Sequence, residues 1–402
     1  MTRAGGPDRV LTDDEVIDFV GESLADPAFD GRSVCVLVPD ATRVCPLPLL
    51  VGAVHRALHG RVSRLTVLIA LGTHGAMTAL DDHVGGPYPG TVVINHEWWN
   101  PSAFANLGTI PSSRIEELSG GMMHGDVRVR LNRAVVEHDI ALVVGPVLPH
   151  EVVGMSGGNK YFFPGVAGQE IIDVSHWLGA LITSAEIIGT TGTTPVRALI
   201  DDGAALIPAR TFALSVVTAH DGGLHSVSFG DCVSSWADAA SVSAATHVTY
   251  LDKPVDRVLS LVPPMYSEIW TGAKGFYKVE PVVADGGEVI LYAPHIRDIA
   301  TSHPQIHEVG YHCRDYFVKQ WDRFSHVHWG VLAHSTHLRG AGVFDASTGV
   351  ETLRVNVTLA TSIPESVCRS VNLGYRDPDT IDVAGFDGLV VPRAGEMLFR
   401  LR

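Results

Sequence analysis

Cysteine is scarce in this chain. Its five residues (Cys35, Cys45, Cys232, Cys313 and Cys368) are odd in number, scattered, and never form a C-x-x-C pair. That pattern offers neither a disulfide framework nor a zinc knuckle. It fits small buried hydrophobes in a reducing compartment, so a cytoplasmic protein is expected. No run of about 18 consecutive apolar residues occurs, and so no membrane-spanning helix is expected. The N-terminus carries Arg3 and Arg9 but no apolar segment follows them, which is unlike a signal peptide. Basic residues are the minority, 29 against 44 acidic, for a formal charge of -15. A surface of that sign argues against nucleic acid or an anionic membrane as the partner, and leaves a local basic pocket for a small anion open. Internal repeats, low-complexity tracts and blocks of like charge are also missing.

What is present is apolar material for sizeable cores: 46% hydrophobic residues in 402, with 18% charged. That length predicts two domains. Short β-branched runs recur at 33–38, 65–71, 91–95, 141–147, 255–262, 288–293 and 327–333, each followed by a polar or glycine-rich turn. Between the early runs lie stretches with helical spacing, such as Leu47, Leu50, Val51, Val54 and Leu58. Continuous apolar strands alternating with helices predict a mostly parallel sheet covered by helices. The expected organisation is an N-terminal α/β domain over 1–252 and a smaller C-terminal α/β domain over 253–385, opening at the Asp252-Lys253-Pro254 break. The tail, 386–402, is expected to return to the first domain, and the active site to lie in the cleft between domains.

In the first domain, polar residues follow the strands: Asp40 to Arg43 after the first, His74 after the second, His96 after the third and His150 after the fourth. Ligands of open α/β sheets bind beyond the carboxyl ends of the strands, which makes these positions site candidates. Loops are polar in any case, so the ordering alone is not decisive. The segment 149–177 reads PHEVVGMSGGNKYFFPGVAGQEIIDVSHW, with two histidines, one lysine and five glycines. Gly157 and Gly158 would let a ligand approach the chain beside Lys160. A lysine there is a phosphate-binding point charge, a covalent attachment site, or simply an exposed lysine on a glycine-rich turn. The order Gly158-Asn159-Lys160-Tyr161 is not that of a Walker A loop. Gly154-Met155-Ser156-Gly157-Gly158 formally matches G-x-S-x-G, which keeps a serine hydrolase with Ser156 as nucleophile as a weaker alternative.

Five motifs stand in one order: Asp40-Ala41-Thr42-Arg43; Gly72-Thr73-His74 with Met77-Thr78; Pro149-His150; Gly157-Gly158-Asn159-Lys160 with Pro164-Gly165; and His176. Together they resemble the lactate racemase family over roughly residues 34 to 180, with fainter likeness to about 280. The resemblance implies a racemase or epimerase (an isomerase) of a 2-hydroxy acid. It would work by reversible hydride transfer to a nickel-pincer nucleotide, pyridinium-3,5-bisthiocarboxylic acid mononucleotide nickel, made by other proteins. By that resemblance Lys160 is the tethering lysine and His176 the nickel ligand, while His74 and His150 are the acid/base pair. Arg43 meets the substrate carboxylate. Asp40 orients His74 or, with Thr42, Gly157 and Gly158, lines the cofactor. Two bases, one per enantiomer, suit racemisation, and imidazole titrates near working pH. Imidazole and sulfur are both acceptable nickel ligands.

Further along, Glu268-Ile269-Trp270-Thr271-Gly272-Ala273-Lys274-Gly275 resembles the family's substrate-lining segment. Lys274 matches its lysine, but Trp270 stands where tyrosine is common and Thr271 where glutamine is expected. That departure points to another 2-hydroxy acid, or a polyol acid, rather than lactate. A homologue that lost the cofactor and only binds an anionic small molecule, through Arg43 and Lys274, is the alternative. The C-terminal part is rich in histidine: His295, His303, His307, His312, His326, His328, His334 and His337. His326 and His328 would share one face of a strand. A second metal site is conceivable there, although pocket-lining or structural histidines are the plainer reading.

Overall fold

The computed structural model describes residues 1–72, 74–219 and 221–402, so Thr73 of the second motif lies outside the described residues. The chain divides into two compact units. The first comprises 1–148, 155–175 and 191–246; the second comprises 149–154, 176–190 and 247–402.

The first unit is built on strands β1 (Thr2–Gly5), β2 (Ser33–Pro39), β3 (Arg64–Ala70) and β4 (Thr91–Asn95). The antiparallel pair β5 (Phe104–Ile110) and β6 (Val127–Asn132) follows, and then β7 (Ile140–Pro146). β5 and β6 form a sheet of their own, while β1 to β4 and β7 join Arg210–Thr218 and Leu224–Gly230 in a seven-stranded sheet. Its order is β1, Leu224–Gly230, Arg210–Thr218, β7, β2, β3, β4. All pairs from Arg210–Thr218 to β4 are parallel, and only the two pairs made by Leu224–Gly230 are antiparallel. The apolar runs explain this. β7 is buried along its whole length and β2 along all but its first residue, as strands covered on both faces must be. The helix Leu47–Leu58 buries Leu47, Leu50, Val51, Val54 and Leu58 against the sheet. Each such burial contributes about 1.5–3 kcal/mol relative to exposure. The chain leaves β2 towards β3 and β4, and then returns to place β7 on the other side of β2. This reversal makes the β2/β7 boundary the topological switch point of the sheet.

The second unit holds a five-stranded, all-parallel sheet. Its order is Gly374–Tyr375, Asn356–Thr361, Val283–Ala293, Val255–Leu261, Leu389–Val391. The expected α/β architecture is thus present in both units, and four details differ from the sequence reading. Segments 149–154 and 176–190, expected in the first domain, belong to the second unit. The boundary falls at 246/247 rather than 252/253, because Val248–Leu251 pairs in parallel with Leu398–Leu401. For the same reason the tail stays in the second unit, and Leu389–Val391 extends the sheet there. The apolar run 327–333 is not a strand. His328 caps the helix Trp329–Arg339, which is buried continuously from Val331 to Leu338. A helix enclosed on all sides loses its polar face, and over so short a window its run reads like a strand. His326 and His328 therefore share no strand face.

Among the described residues no helix is long and apolar enough to cross a membrane.

Candidate functional site

The residues expected at the site form one group in each unit. In the first unit they collect at the carboxyl ends of β2, β3 and β7. Asp40 leaves β2 and is 6% exposed. One carboxylate oxygen accepts from the Thr42 amide (3.1 Å) and hydroxyl (2.6 Å), and the other lies 2.5 Å from His74 Nδ1. Burial alone would raise the Asp40 pKa. The bond from His74, the hydroxyl of Thr42 and the nearby charge of Arg43 outweigh it and hold the carboxyl below the usual range. An ionised Asp40 can only accept, so His74 Nδ1 carries a proton towards it. The His74 carbonyl accepts from Trp98 Nε1 (2.8 Å), which ties down the loop after β3. Gly72 N–H donates to Gly165 O (2.9 Å), joining that loop to the lysine segment. The Tyr161 phenol packs over Gly145, where no side chain would fit, and lies within the electrostatic reach of Cys45, Arg43 and Asp40. Two of the expected elements, the Asp40–Arg43 turn and the Lys160 segment, are therefore brought to the switch point.

The loop before Lys160 is held tightly. Gly157 has φ 85° and Gly158 has φ 57°. A Cβ on Gly157 would lie 2.6 Å from Val147 Cγ2, and one on Gly158 2.8 Å from Trp236 Cβ. Both the backbone conformation and the close packing demand glycine. Ser156 does not serve as a nucleophile here. Its hydroxyl accepts from Leu148 N–H (2.9 Å) and donates to Pro146 O (3.3 Å), and the residue is 8% exposed. The hydroxyl both donates to and accepts from backbone, with no histidine on it among the described residues, which does not fit a serine-hydrolase nucleophile. His96 is also structural: buried, its Nδ1 accepting from Asn132 Nδ2 (3.0 Å), and its pKa pushed down by burial to about 4.

In the second unit, His150 is buried, and its Nδ1 accepts the Val152 N–H at 3.1 Å and sits 3.5 Å from Glu151. The short helices Ile269–Gly272 and Lys274–Tyr277 carry Trp270, Thr271 and Lys274. Trp270 is sandwiched between His303 (centroids 3.9 Å apart, 4° between planes) and His334 (3.8 Å, 32°). The Thr271 hydroxyl is turned back onto its own helix, donating to Glu268 O at 3.2 Å. Lys274 Nζ stands 5.0 Å over the Tyr266 ring.

His334 bridges the phenols of Tyr277 (3.0 Å at Nδ1) and Tyr311 (3.3 Å at Nε2). Burial first, and then the charges of His337, His303, Lys274 and His176, push its pKa well down. His337 is pushed down by burial to about 4, with Glu151 opposing and His176 adding to the shift. His176 on the helix Gln169–Ile182 is thereby placed in electrostatic reach of this cluster. Tyr277, Tyr311 and the particular pair His334 and His337 were not singled out from the sequence. Their i, i+3 spacing was the available signal, hidden by the strand reading of 327–333. Among the described residues no three His, Cys, Asp or Glu side chains are placed to hold a metal ion, so the histidine-rich C-terminal part shows no second metal centre.

A parallel-dominated sheet flanked by helices, with a carboxylate–imidazole pair and a glycine-flanked lysine segment at its switch point, defines an α/β protein whose candidate site lies at the carboxyl ends of the strands. Residues 15–189 match the lactate racemase N-terminal domain, and over that stretch the chain resembles the lactate racemase family. It is 25% identical to the lactate racemase of Thermoanaerobacterium thermosaccharolyticum over 298 residues, 67% of this chain and 62% of that protein. It is 23% identical to the lactate racemase of Lactiplantibacillus plantarum over 284 residues, 68% and 62% respectively. The likeness thus spans about 62% of the length of each curated relative. Among solved structures, a Thermotoga maritima protein superposes with a TM-score of 0.90 at 32% identity, covering 99% of this chain and 100% of that one. The apoprotein of the T. thermosaccharolyticum lactate racemase superposes with a TM-score of 0.75 at 18% identity over 97% and 93%, which establishes the shared fold.

Proposed function

We propose that this chain racemises or epimerises a 2-hydroxy acid with a nickel-pincer nucleotide carried on Lys160. The observation that carries the reading is the joint placement of Asp40, His74 and the Lys160 loop at the switch point of a lactate racemase-type sheet. The residues present fit such a group. Lys160 stands on a fixed glycine loop as an amine for the covalent link. His176 would offer such a metal one protein nitrogen, since imidazole is an acceptable nickel ligand. When bound, the group supplies a reversible hydride acceptor for the hydroxyl-bearing carbon.

The chain's own groups manage the proton and the carboxylate. Asp40 keeps the His74 proton on Nδ1 and leaves Nε2 to accept the substrate's hydroxyl proton. His150, whose Nδ1 accepts the Val152 N–H and lies 3.5 Å from Glu151, is proposed as the second acid/base group. Arg43 and Lys274 bind the substrate carboxylate.

The test is intact mass and nickel content after co-production with the cofactor-making proteins. A pincer adduct on the Lys160 peptide with stoichiometric nickel, and interconversion of enantiomers, is the expected result. An unmodified, nickel-free chain would overturn the reading.

The substrate is proposed to be a 2-hydroxy acid other than lactate. Trp270 is locked between two imidazoles, and the Thr271 hydroxyl is spent on its own helix. Restoring the common pattern with Trp270→Tyr and Thr271→Gln together is expected to raise kcat/KM for lactate relative to the preferred acid by about tenfold or more. A wild-type chain that already prefers lactate over a panel of longer and polyhydroxylated acids would refute this.

A further inference from the structure

Arg197 is an arginine in the wrong place by composition rules: it is 2% exposed and one of the largest fully buried side chains of the protein. Long charged side chains are almost never enclosed unless something requires them. No carboxylate lies within ion-pair distance of it among the described residues, and burial pushes its pKa down to about 10. Its guanidinium is spent elsewhere. Nη1 donates to Gly157 O (3.1 Å), Nη2 donates to Met155 O, and the plane lies 4.1 Å over the Trp236 ring. Trp236 in turn donates from Nε1 to Ser156 O at 2.9 Å and packs against Gly158. One turn on from Arg197 in the helix Pro195–Ala204, Asp201 accepts from Asn159 Nδ2 at 2.9 Å. Residues 155 to 159 are therefore gripped one after another by two helices. Carbonyls 155 and 157 are held by Arg197, carbonyl 156 and Gly158 by Trp236, and side chain 159 by Asp201. The next residue is Lys160.

We infer that Arg197, seated on Trp236, is a positioning residue that presets the 155–159 loop so that Lys160 is presented for cofactor attachment. A lysine could not replace it. A single ammonium reaches one carbonyl at a time, whereas the planar fork spans two carbonyls at a fixed separation and stacks on the indole. Glycine adopts the positive φ of Gly157 and Gly158 without steric cost but is conformationally free, so external bonds are what fix the loop in one conformation. The inference rests on the proposed role of Lys160, and the experiment separates the two.

Arg197→Lys and Trp236→Phe would be compared with the wild type in two assays. The first is amide hydrogen exchange across 155–160 in the cofactor-free chain; the second is the fraction of Lys160 peptide carrying the pincer adduct after co-production. Circular dichroism and Tm check that the fold is kept. Exchange about tenfold faster or more, confined to 155–160, with adduct formation cut by a similar factor, is expected in Arg197→Lys. Trp236→Phe, which keeps the packing and loses the bond to Ser156 O, should show the same pattern more weakly. Exchange and loading unchanged in both variants would overturn the inference. So would faster exchange with loading unchanged, which makes Arg197 merely structural. A wild-type chain that takes no adduct refutes the cofactor reading and the attachment role together, while exchange still reports whether the loop is clamped.

Discussion

Lys160→Ala is expected to give a folded chain with no pincer adduct, no stoichiometric nickel, and racemisation lowered on the order of a thousandfold or more, to background. The fold should survive because the loop before the lysine is held by other residues. Its carbonyls are held by Arg197 and Trp236 and its glycines by local packing. The change in stability should stay within about 1 kcal/mol, as for side chains outside a core. Lys160→Arg tests the chemistry more sharply. It keeps the positive charge, but a guanidinium remains protonated and cannot take up an acyl or thioacyl link. If charge alone held an anionic cofactor, Lys160→Arg would keep part of the nickel and the activity; if the link is covalent, it should be as inactive as Lys160→Ala. Retained activity in Lys160→Ala would sink the mechanism altogether.

The second large effect is expected at Asp40. Replacing it by Asn keeps the shape but presents His74 with a group that can turn its amide towards Nδ1. The imidazole then loses the partner that fixes its proton there. A loss in kcat on the order of a hundredfold or more is expected, with KM moved little, because orientation of the base matters most in the transition state. A fall in kcat/KM carried entirely by KM would argue that Asp40 serves binding instead.

The same residue sets a pH dependence of stability. Its carboxyl is held below its unfolded value despite burial, so its contribution is fully present above the unfolded value of about 4 and is lost as pH falls towards the lower folded one. The stability gap between wild type and Asp40→Asn should therefore narrow between roughly pH 5 and pH 2. A gap that stays constant on acidification, measured by urea unfolding of each variant, would show that the carboxylate's charge is not what the fold uses.

Much of the first unit was legible in advance. The runs at 33–38, 65–71 and 91–95 are β2, β3 and β4, and the spaced leucines and valines of 47–58 form the expected helix. They were legible because a strand covered on both faces must be apolar throughout, and a helix covered on one face must be apolar every third or fourth residue. Asp40, His74 and Lys160 could be singled out because polar residues and glycines at strand ends are local features. The second unit was less readable for the opposite reason. Trp329–Arg339 is enclosed on all sides and has no polar stripe to betray a helical period. The tail was misplaced because nothing within Leu398–Leu401 says that Val248–Leu251, some 150 residues earlier, is its partner.

By itself, then, the sequence determined the alternation of strands and helices, the glycines that the 157–158 turn demands, the family likeness, and a short roster of candidate residues. Those properties follow from residues close together in the chain, where periodicity, backbone freedom and motif order act directly. Only the tertiary structure decided that Asp40 meets His74, that Ser156 is spent on backbone, and that Trp270 is held by His303 and His334. Only it showed a buried arginine gripping the loop before Lys160. Each of these is a hydrogen bond or ring contact between distant segments. Its partner is chosen by how the sheets close and what they desolvate, and no local window of sequence carries that choice.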